Sequence, residues 1–199
     1  QGYSSAASDV YKRQIEQYKM DLMQDGDVVV DSSETLTFTV QPQAALTVMD
    51  QSTGEVKALV GGRGDKTANK TLNRATDTTR QPGSTFKIVS TYAPALDSAG
   101  MTLADVEVDG PFNYDNGRPV SNWWKNGYRG LLSLRYGIVQ SANIVAVKTL
   151  TQITPQLGFD YLLNFGFTTL VDRRVEADGT VVSDIGQPLA LGGITDGVT

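Results

Sequence analysis

Arg80-Gln81-Pro82-Gly83-Ser84-Thr85-Phe86-Lys87 reads as a turn that runs into a helix. Pro82-Gly83 is a chain-turning pair. Beyond it Phe86, Val89, Ala93 and Leu96 recur at three- and four-residue steps, which predicts a helix with one apolar face. Ser84 then falls in the first turn, and Lys87, three residues on, shares its face. A hydroxyl and an amine held side by side at a helix start are the minimum equipment of a serine nucleophile with a lysine base. S-x-x-K alone is a weak signal. Taken singly, Ser84 reads as a helix N-cap and Lys87 as a solvated helix residue.

Composition narrows the chemistry. The 199 residues contain no His and no Cys, which excludes a Ser-His-Asp triad, a cysteine nucleophile and any imidazole or thiolate metal site. A nucleophilic enzyme of this composition must take its base from Lys, Glu, Asp or Tyr. The net charge of −5 and the lack of any basic run longer than Lys12-Arg13 or Arg173-Arg174 argue against nucleic acid as a partner. No apolar run approaches a membrane span. The length suits one domain of ordinary size with a core of its own.

Outward from the Ser84 turn, the chain divides as follows. Residues 1–14 are Ser/Ala-rich without periodicity and read as a disordered tail or an assembly scar. Residues 15–25 predict a short helix ended by Gly26-Asp27, and Val28-Val29-Val30 and Leu36 to Val40 are β-prone runs. Residues 15–42 are expected to be an inter-domain linker region. Ala44 to Asp50 reads as a buried-type strand, Gln51-Ser52-Thr53-Gly54 as a turn, and Glu55 to Val60 as a second strand. Gly61-Gly62-Arg63-Gly64 followed by Lys66-Thr67 invites a phosphate-loop reading, but Asp65 breaks the required Gly-Lys-Thr order and would repel a phosphate. Lys66 to Gln81 is polar and predicts a long surface loop. After the Ser84 helix, a loop region is expected up to Gly130. Its Tyr114, Trp123, Trp124 and Tyr128 could line a ligand groove or pin the loop to the core. Leu131 to Gln140, Ile144 to Ile153 and Pro155 to Phe165 predict three helices.

The combination is more specific than its parts. The one S-x-x-K follows Pro-Gly and a predicted hairpin, and the one S-x-N, Ser141-Ala142-Asn143, lies at a predicted helix–helix junction. S-x-x-K with an S-x-N-type motif is a signature of penicillin-binding proteins and class A β-lactamases. The chain resembles the transpeptidase domain of a penicillin-binding protein, most of all the bifunctional class A kind. The resemblance rests on Gln43-Ala44-Ala45, Thr53 to Gly62, Asn73-Arg74-Ala75-Thr76, Arg80 to Lys87, Ser141-Ala142-Asn143 with Val145 to Lys148, and Leu189-Ala190-Leu191-Gly192-Gly193. It covers about residues 43–199.

That resemblance implies an α+β fold of the penicillin-binding transpeptidase and serine β-lactamase type, an antiparallel sheet flanked by helices. It departs in one place. The third motif, K-[ST]-G, is absent, since Lys66-Thr67-Ala68 and Lys148-Thr149-Leu150 lack the glycine. Residues 43–199 are therefore expected to be the N-terminal part of such a domain, incomplete, with its C-terminal strands missing and the chain truncated before that motif. The implied activity is peptidoglycan DD-transpeptidation through an acyl-enzyme on D-alanyl-D-alanine. Ser84 would be the nucleophile, Lys87 the base, Ser141 the proton shuttle and Asn143 the residue that holds the substrate amide. Half of the oxyanion hole would come from the Ser84 N–H. No metal or organic cofactor is expected. The implied partners are stem peptides and β-lactams, with a membrane anchor and a glycosyltransferase domain upstream, on the extracytoplasmic face of a bacterial membrane. The alternatives are a β-lactamase or DD-carboxypeptidase on the same scaffold, with Glu107 and Glu176 as carboxylates to test as a deacylating base, and a non-catalytic β-lactam sensor.

Overall fold

The computed structural model describes residues 16–28, 42–65 and 69–199, and the chain divides into two compact units at residues 42 and 43. In the first unit, helix α1 spans residues 16–22. It is held by side chains one turn apart, Glu16 with Lys19 at 3.1 Å and Gln17 with Asp21 at 2.9 Å. The Asp27 carboxylate accepts from the Gln24 N–H at 2.8 Å in the turn that follows. The tail reading of residues 1–14 and the β-prone runs beyond Val28 lie outside the described residues.

The second unit is α+β. It contains, among the described residues, three two-stranded antiparallel sheets: β1 (Leu46–Met49) with β2 (Val56–Val60), β3 (Val106–Asp109) with β4 (Gly130–Ser133), and β5 (Arg174–Val175) with β6 (Val181–Val182). The expected first hairpin is present, with a register shift between Val48 and Met49. Its turn is closed by the Asp50 carboxylate, which accepts from the Ser52 N–H at 2.9 Å, and by Gly54 at φ 75°. The buried reading of Ala44 to Asp50 is corrected: every residue of both strands is exposed. Apolar residues on both faces of a strand call for cover on both faces, and none of the described residues supplies it.

The core is built around α4 (Asn143–Ile153). Ile144, Val145, Ala146, Val147, Thr149 and Leu150 are all fully buried, so this helix is apolar nearly all round and enclosed. Its neighbours are the helix that follows Ser84, α5 (Pro155–Asn164), a 3₁₀ turn at Gln187–Leu191 and β3. Phe86, Tyr92, Leu134, Phe159, Leu162 and Leu189 fill the space between them. Each such side chain contributes about 1.5–3 kcal/mol by leaving water. Among the described residues no helix is long and apolar enough to cross a membrane.

Two expectations change in detail. The helix after Ser84 opens as a 3₁₀ turn (Gly83–Thr85), continues as a π-helical stretch (Lys87–Tyr92) and ends as the α-helix α2 (Ala93–Asp97). Pro94 is the physical reason. It has no N–H for the Ser90 carbonyl, and its ring pushes that carbonyl outward. The freed Ser90 oxygen then packs so tightly on α5 that a Cβ on Gly158 would lie 2.4 Å from it. The Ser90 hydroxyl bonds back to the Phe86 carbonyl at 2.7 Å and reaches the Leu189 carbonyl at 3.2 Å.

The second change concerns the loop expected from residue 100 to Gly130. It contains β3, and the helix expected from Leu131 is strand β4 followed by α3 (Leu134–Val139). Ser133 makes the switch, because its Oγ accepts from the Tyr136 N–H at 3.2 Å and caps α3.

Candidate active site

The Ser84 turn is fastened to the last segment of the chain. Arg80 and Val198 exchange two backbone hydrogen bonds of 2.8 Å. The Gln81 carboxamide mimics a strand partner for Ile194, accepting from its N–H at 3.1 Å and donating to its carbonyl at 2.5 Å. Gly83 has φ 58° and Gly192 φ 71°, and a Cβ on Gly192 would lie 2.3 Å from the Gly83 oxygen. Gly192 must lack a Cβ for that approach, whereas Gly83 is called for by its left-handed φ. The Leu189-Ala190-Leu191-Gly192-Gly193 run thus carries a mechanical task, supporting the turn that presents Ser84.

Ser141 sits in the corner between α3 and α4. The Ala142 N–H bonds to the Gly137 carbonyl at 2.8 Å and the Ser141 N–H to the Ile138 carbonyl at 3.0 Å. This is a Schellman ending for α3, with Ser141 in the left-handed position at φ 49°. Helix α5 ends on the same motif, Phe167 N–H to the Leu162 carbonyl and Gly166 N–H to the Leu163 carbonyl, with Gly166 in that position at φ 90°. A serine where the fold elsewhere uses glycine is held in a disfavoured conformation.

The structure brings together all four residues singled out from the sequence. Lys87 Nζ lies 3.2 Å from Ser84 Oγ, 2.8 Å from Ser141 Oγ, 2.7 Å from the Ser141 carbonyl and 2.6 Å from Asn143 Oδ1. Ser84 is exposed and Lys87 only 2% exposed. Among the described residues no carboxylate pairs with Lys87. Burial without a counter-charge disfavours the ammonium form and lowers its pKa from 10.5 to about 8. A neutral amine keeps two N–H donors and gains a lone pair, so it can donate to two of its oxygen neighbours and accept a proton from a hydroxyl.

Asn143 also donates from Nδ2 to the Ser121 carbonyl at 2.7 Å, which leaves one N–H and one carbonyl lone pair for a further amide. Of the aromatic loop, Trp124 packs against the core and carries the Arg129 guanidinium 4.0 Å above its ring. Trp123 donates from Nε1 to the Gln140 carbonyl at 2.8 Å, just before Ser141, while 64% of its surface stays open. Anchoring is therefore the role of Trp124, and Trp123 anchors by its edge. Glu107 pairs with Lys148 at 3.2 Å and Glu176 with Arg174 at 2.9 Å, and neither makes a hydrogen bond to the Ser84 group.

Sequence reasoning missed Gln81, Gly192 and the Ser121–Asn122 segment. Gln81 and Gly192 lie inside motifs quoted for the resemblance, whereas the polar run at Ser121 carries no periodic signal.

Comparison with known proteins agrees with this architecture. The family model described as penicillin binding protein transpeptidase domain matches residues 44–199. Penicillin-binding protein 1A/1B of Bacillus subtilis is 32% identical over 161 residues, 81% of this chain and 16% of that protein. Penicillin-binding protein 1A of Clostridium tetani is 31% identical over 172 residues, 82% of this chain and 21% of that protein. The crystal structure of penicillin-binding protein 1A from Haemophilus influenzae superposes with a TM-score of 0.58 at 28% identity, covering 76% of this chain and 21% of that one. The chain thus spans about a fifth of the length of these relatives. The class A resemblance read from the motifs is borne out by these names, and the chain belongs to the penicillin-binding protein transpeptidase domain family.

Proposed function

We propose that this chain carries the nucleophile half of a serine-type D-alanyl-D-alanine transpeptidase, with residues 43–199 as the N-terminal part of the domain and 15–42 as a linker. The observation that supports it most is the convergence of one buried, uncompensated lysine on two hydroxyls and a carboxamide. Ser84 Oγ attacks the carbonyl of the penultimate D-alanine while Lys87 Nζ accepts the hydroxyl proton. The carbon–nitrogen bond to the terminal D-alanine breaks. Its amine takes the proton through Ser141 Oγ, which lies on the other side of Lys87. An ester to Ser84 remains. The amine of a second stem peptide then attacks it, forms the cross-linking amide and returns the proton to Ser84.

Asn143 presents its spare N–H and lone pair to the donor peptide's amide, and the Ser84 N–H supplies one oxyanion contact. β-Lactams acylate the same oxygen. The substrate places the domain on the extracytoplasmic face of a bacterial membrane, with an anchor and a glycosyltransferase domain preceding it in the full protein.

A β-lactamase would need a base to deacylate the acyl-enzyme, and Glu107 and Glu176, the carboxylates to test for it, are both paired with basic side chains. Incubation with a pentapeptide stem and an acceptor amine separates the readings. A cross-linked dimer with release of D-alanine, absent in Ser84→Ala, is expected. Free acid alone would favour a carboxypeptidase, and product from Ser84→Ala would overturn the site.

A further inference from the structure

Helix α4 begins at Asn143, and the residue before it, Ala142, is extended at φ −65°, ψ 118° with no side-chain acceptor. The first N–H groups of the helix need partners from elsewhere. Asn122, from the loop after β3, provides them: its Oδ1 accepts from the Asn143 N–H at 2.8 Å and from the Ile144 N–H at 3.2 Å. Its Nδ2 donates to Asp109 Oδ1 at 2.7 Å, and Asp109 Oδ2 accepts from the Arg129 N–H at 2.8 Å. Asp109 closes β3 and is 1% exposed.

An ionised carboxylate only accepts, so the amide end of Asn122 must face Asp109 and its oxygen must face the helix. The adjoining Ser121 carbonyl takes Asn143 Nδ2. Two consecutive loop residues thus grip Asn143 at its backbone and at its side chain, while Asn143 Oδ1 rests 2.6 Å from Lys87 Nζ. Ser141, one residue before Ala142, adjoins that turn in the left-handed conformation.

Resting on the roles proposed above for Ser84, Lys87, Ser141 and Asn143, we propose that Asn122, oriented by the buried carboxylate of Asp109, is a positioning residue that fixes the first turn of α4 and so the reach of Ser141 and Asn143 to Lys87. A mere helix cap would cost about 1 kcal/mol of stability on removal and leave the chemistry alone. A positioning residue moves the reactive groups, and small misplacements of such groups reduce rates steeply.

Reciprocal substitution provides the test. Asn122→Asp alone sets two carboxylates against each other. Asp109→Asn alone turns an amide N–H toward a donor, either Arg129 N–H or Asn122 Nδ2. In the double variant the amide at position 109 donates to the carboxylate at position 122, whose other oxygen still faces the helix N–H groups. The readouts are capture of a fluorescent penicillin over a concentration series, taken at the plateau of each variant's pH profile, and the titration of the Lys87 side chain followed by ¹³C NMR. Each single variant, and Asn122→Ala, is expected to lose at least about tenfold in the saturating acylation rate with little change in the half-saturating concentration. The Lys87 titration is expected to change in each of them. The double variant is expected to recover the acylation rate to within about threefold of the original protein. An unchanged saturating rate and Lys87 titration in a destabilised Asn122→Ala, or a double variant no better than the singles, overturns the proposal. Failure of the original protein to react, or reaction by Ser84→Ala, instead removes the functional reading, and the Lys87 titration still decides the positioning role.

Discussion

Replacing Lys87 with Met keeps the length and linearity of the side chain but removes the amine. Lys87 is buried, and its pKa falls from 10.5 to about 8 through burial. In the unfolded chain the same lysine holds its proton up to its ordinary value. Between those two values the unfolded state binds more protons than the folded one, so stability rises with pH. The cost of burying Lys87 is fully present below pH 8, relieved progressively above it, and gone beyond about pH 10.5. At 1.36 kcal/mol per pH unit this amounts to about 3 kcal/mol.

Lys87→Met removes that pH dependence. It also leaves Ser141 and Asn143 without a donor, a penalty of about 1–3 kcal/mol that does not vary with pH. The assay is urea unfolding of both proteins from pH 6 to 11, read as the difference in unfolding free energy. The original protein should gain on Lys87→Met by about 1.4 kcal/mol per pH unit across the window and by about 3 kcal/mol in all. A difference that stays flat, or that falls with rising pH, would refute the claim that Lys87 is held towards its neutral form.

Two further outcomes follow from the corner and the turn that carry the site. Ser141→Gly should be more stable than Ser141→Ala by about 1 kcal/mol, because only glycine relaxes at φ 49°, while both lose acylation by a fluorescent penicillin; equal melting temperatures would contradict the strained reading of Ser141. Gly192→Ala should lower stability by about 2 kcal/mol or more and slow labelling of Ser84, since its Cβ would meet the Gly83 backbone at 2.3 Å; a variant with unchanged melting and labelling would show that the two glycines do not support each other.

The site was more legible in the sequence than the fold around it. Ser84 and Lys87 are three apart on a predicted helix, and Ser141-Ala142-Asn143 marks a break between two helices, so the two motifs together, with the family resemblance they carry, single out these residues where either motif alone is weak. The first hairpin, α4 and α5 follow from alternation, 3.6-residue periodicity and Pro155 at a helix start. β3 and β4 did not show, because four-residue strands carry too little alternation, and Leu131-Leu132 beside the apolar face of α3 continues a helical pattern. The exposure of Leu46, Val56 and Val60 was equally hidden, since an apolar run does not say what covers it. The π-helical stretch depends on where the carbonyl displaced by Pro94 can go, which is a matter of α5 and Gly158. Asn122 and Asp109 act across 21 and 13 residues of sequence, a separation at which no local pattern speaks.

Ser84, in the reading proposed above, is the nucleophile that Lys87 serves. The most direct measurement is mass spectrometry of the proteolysed protein after exposure to a penicillin. A single acyl adduct is expected on the peptide that contains Ser84, formed faster as pH rises towards about 8 and levelling above it. An adduct on any other residue, or equal adduct formation by Lys87→Met, would contradict it.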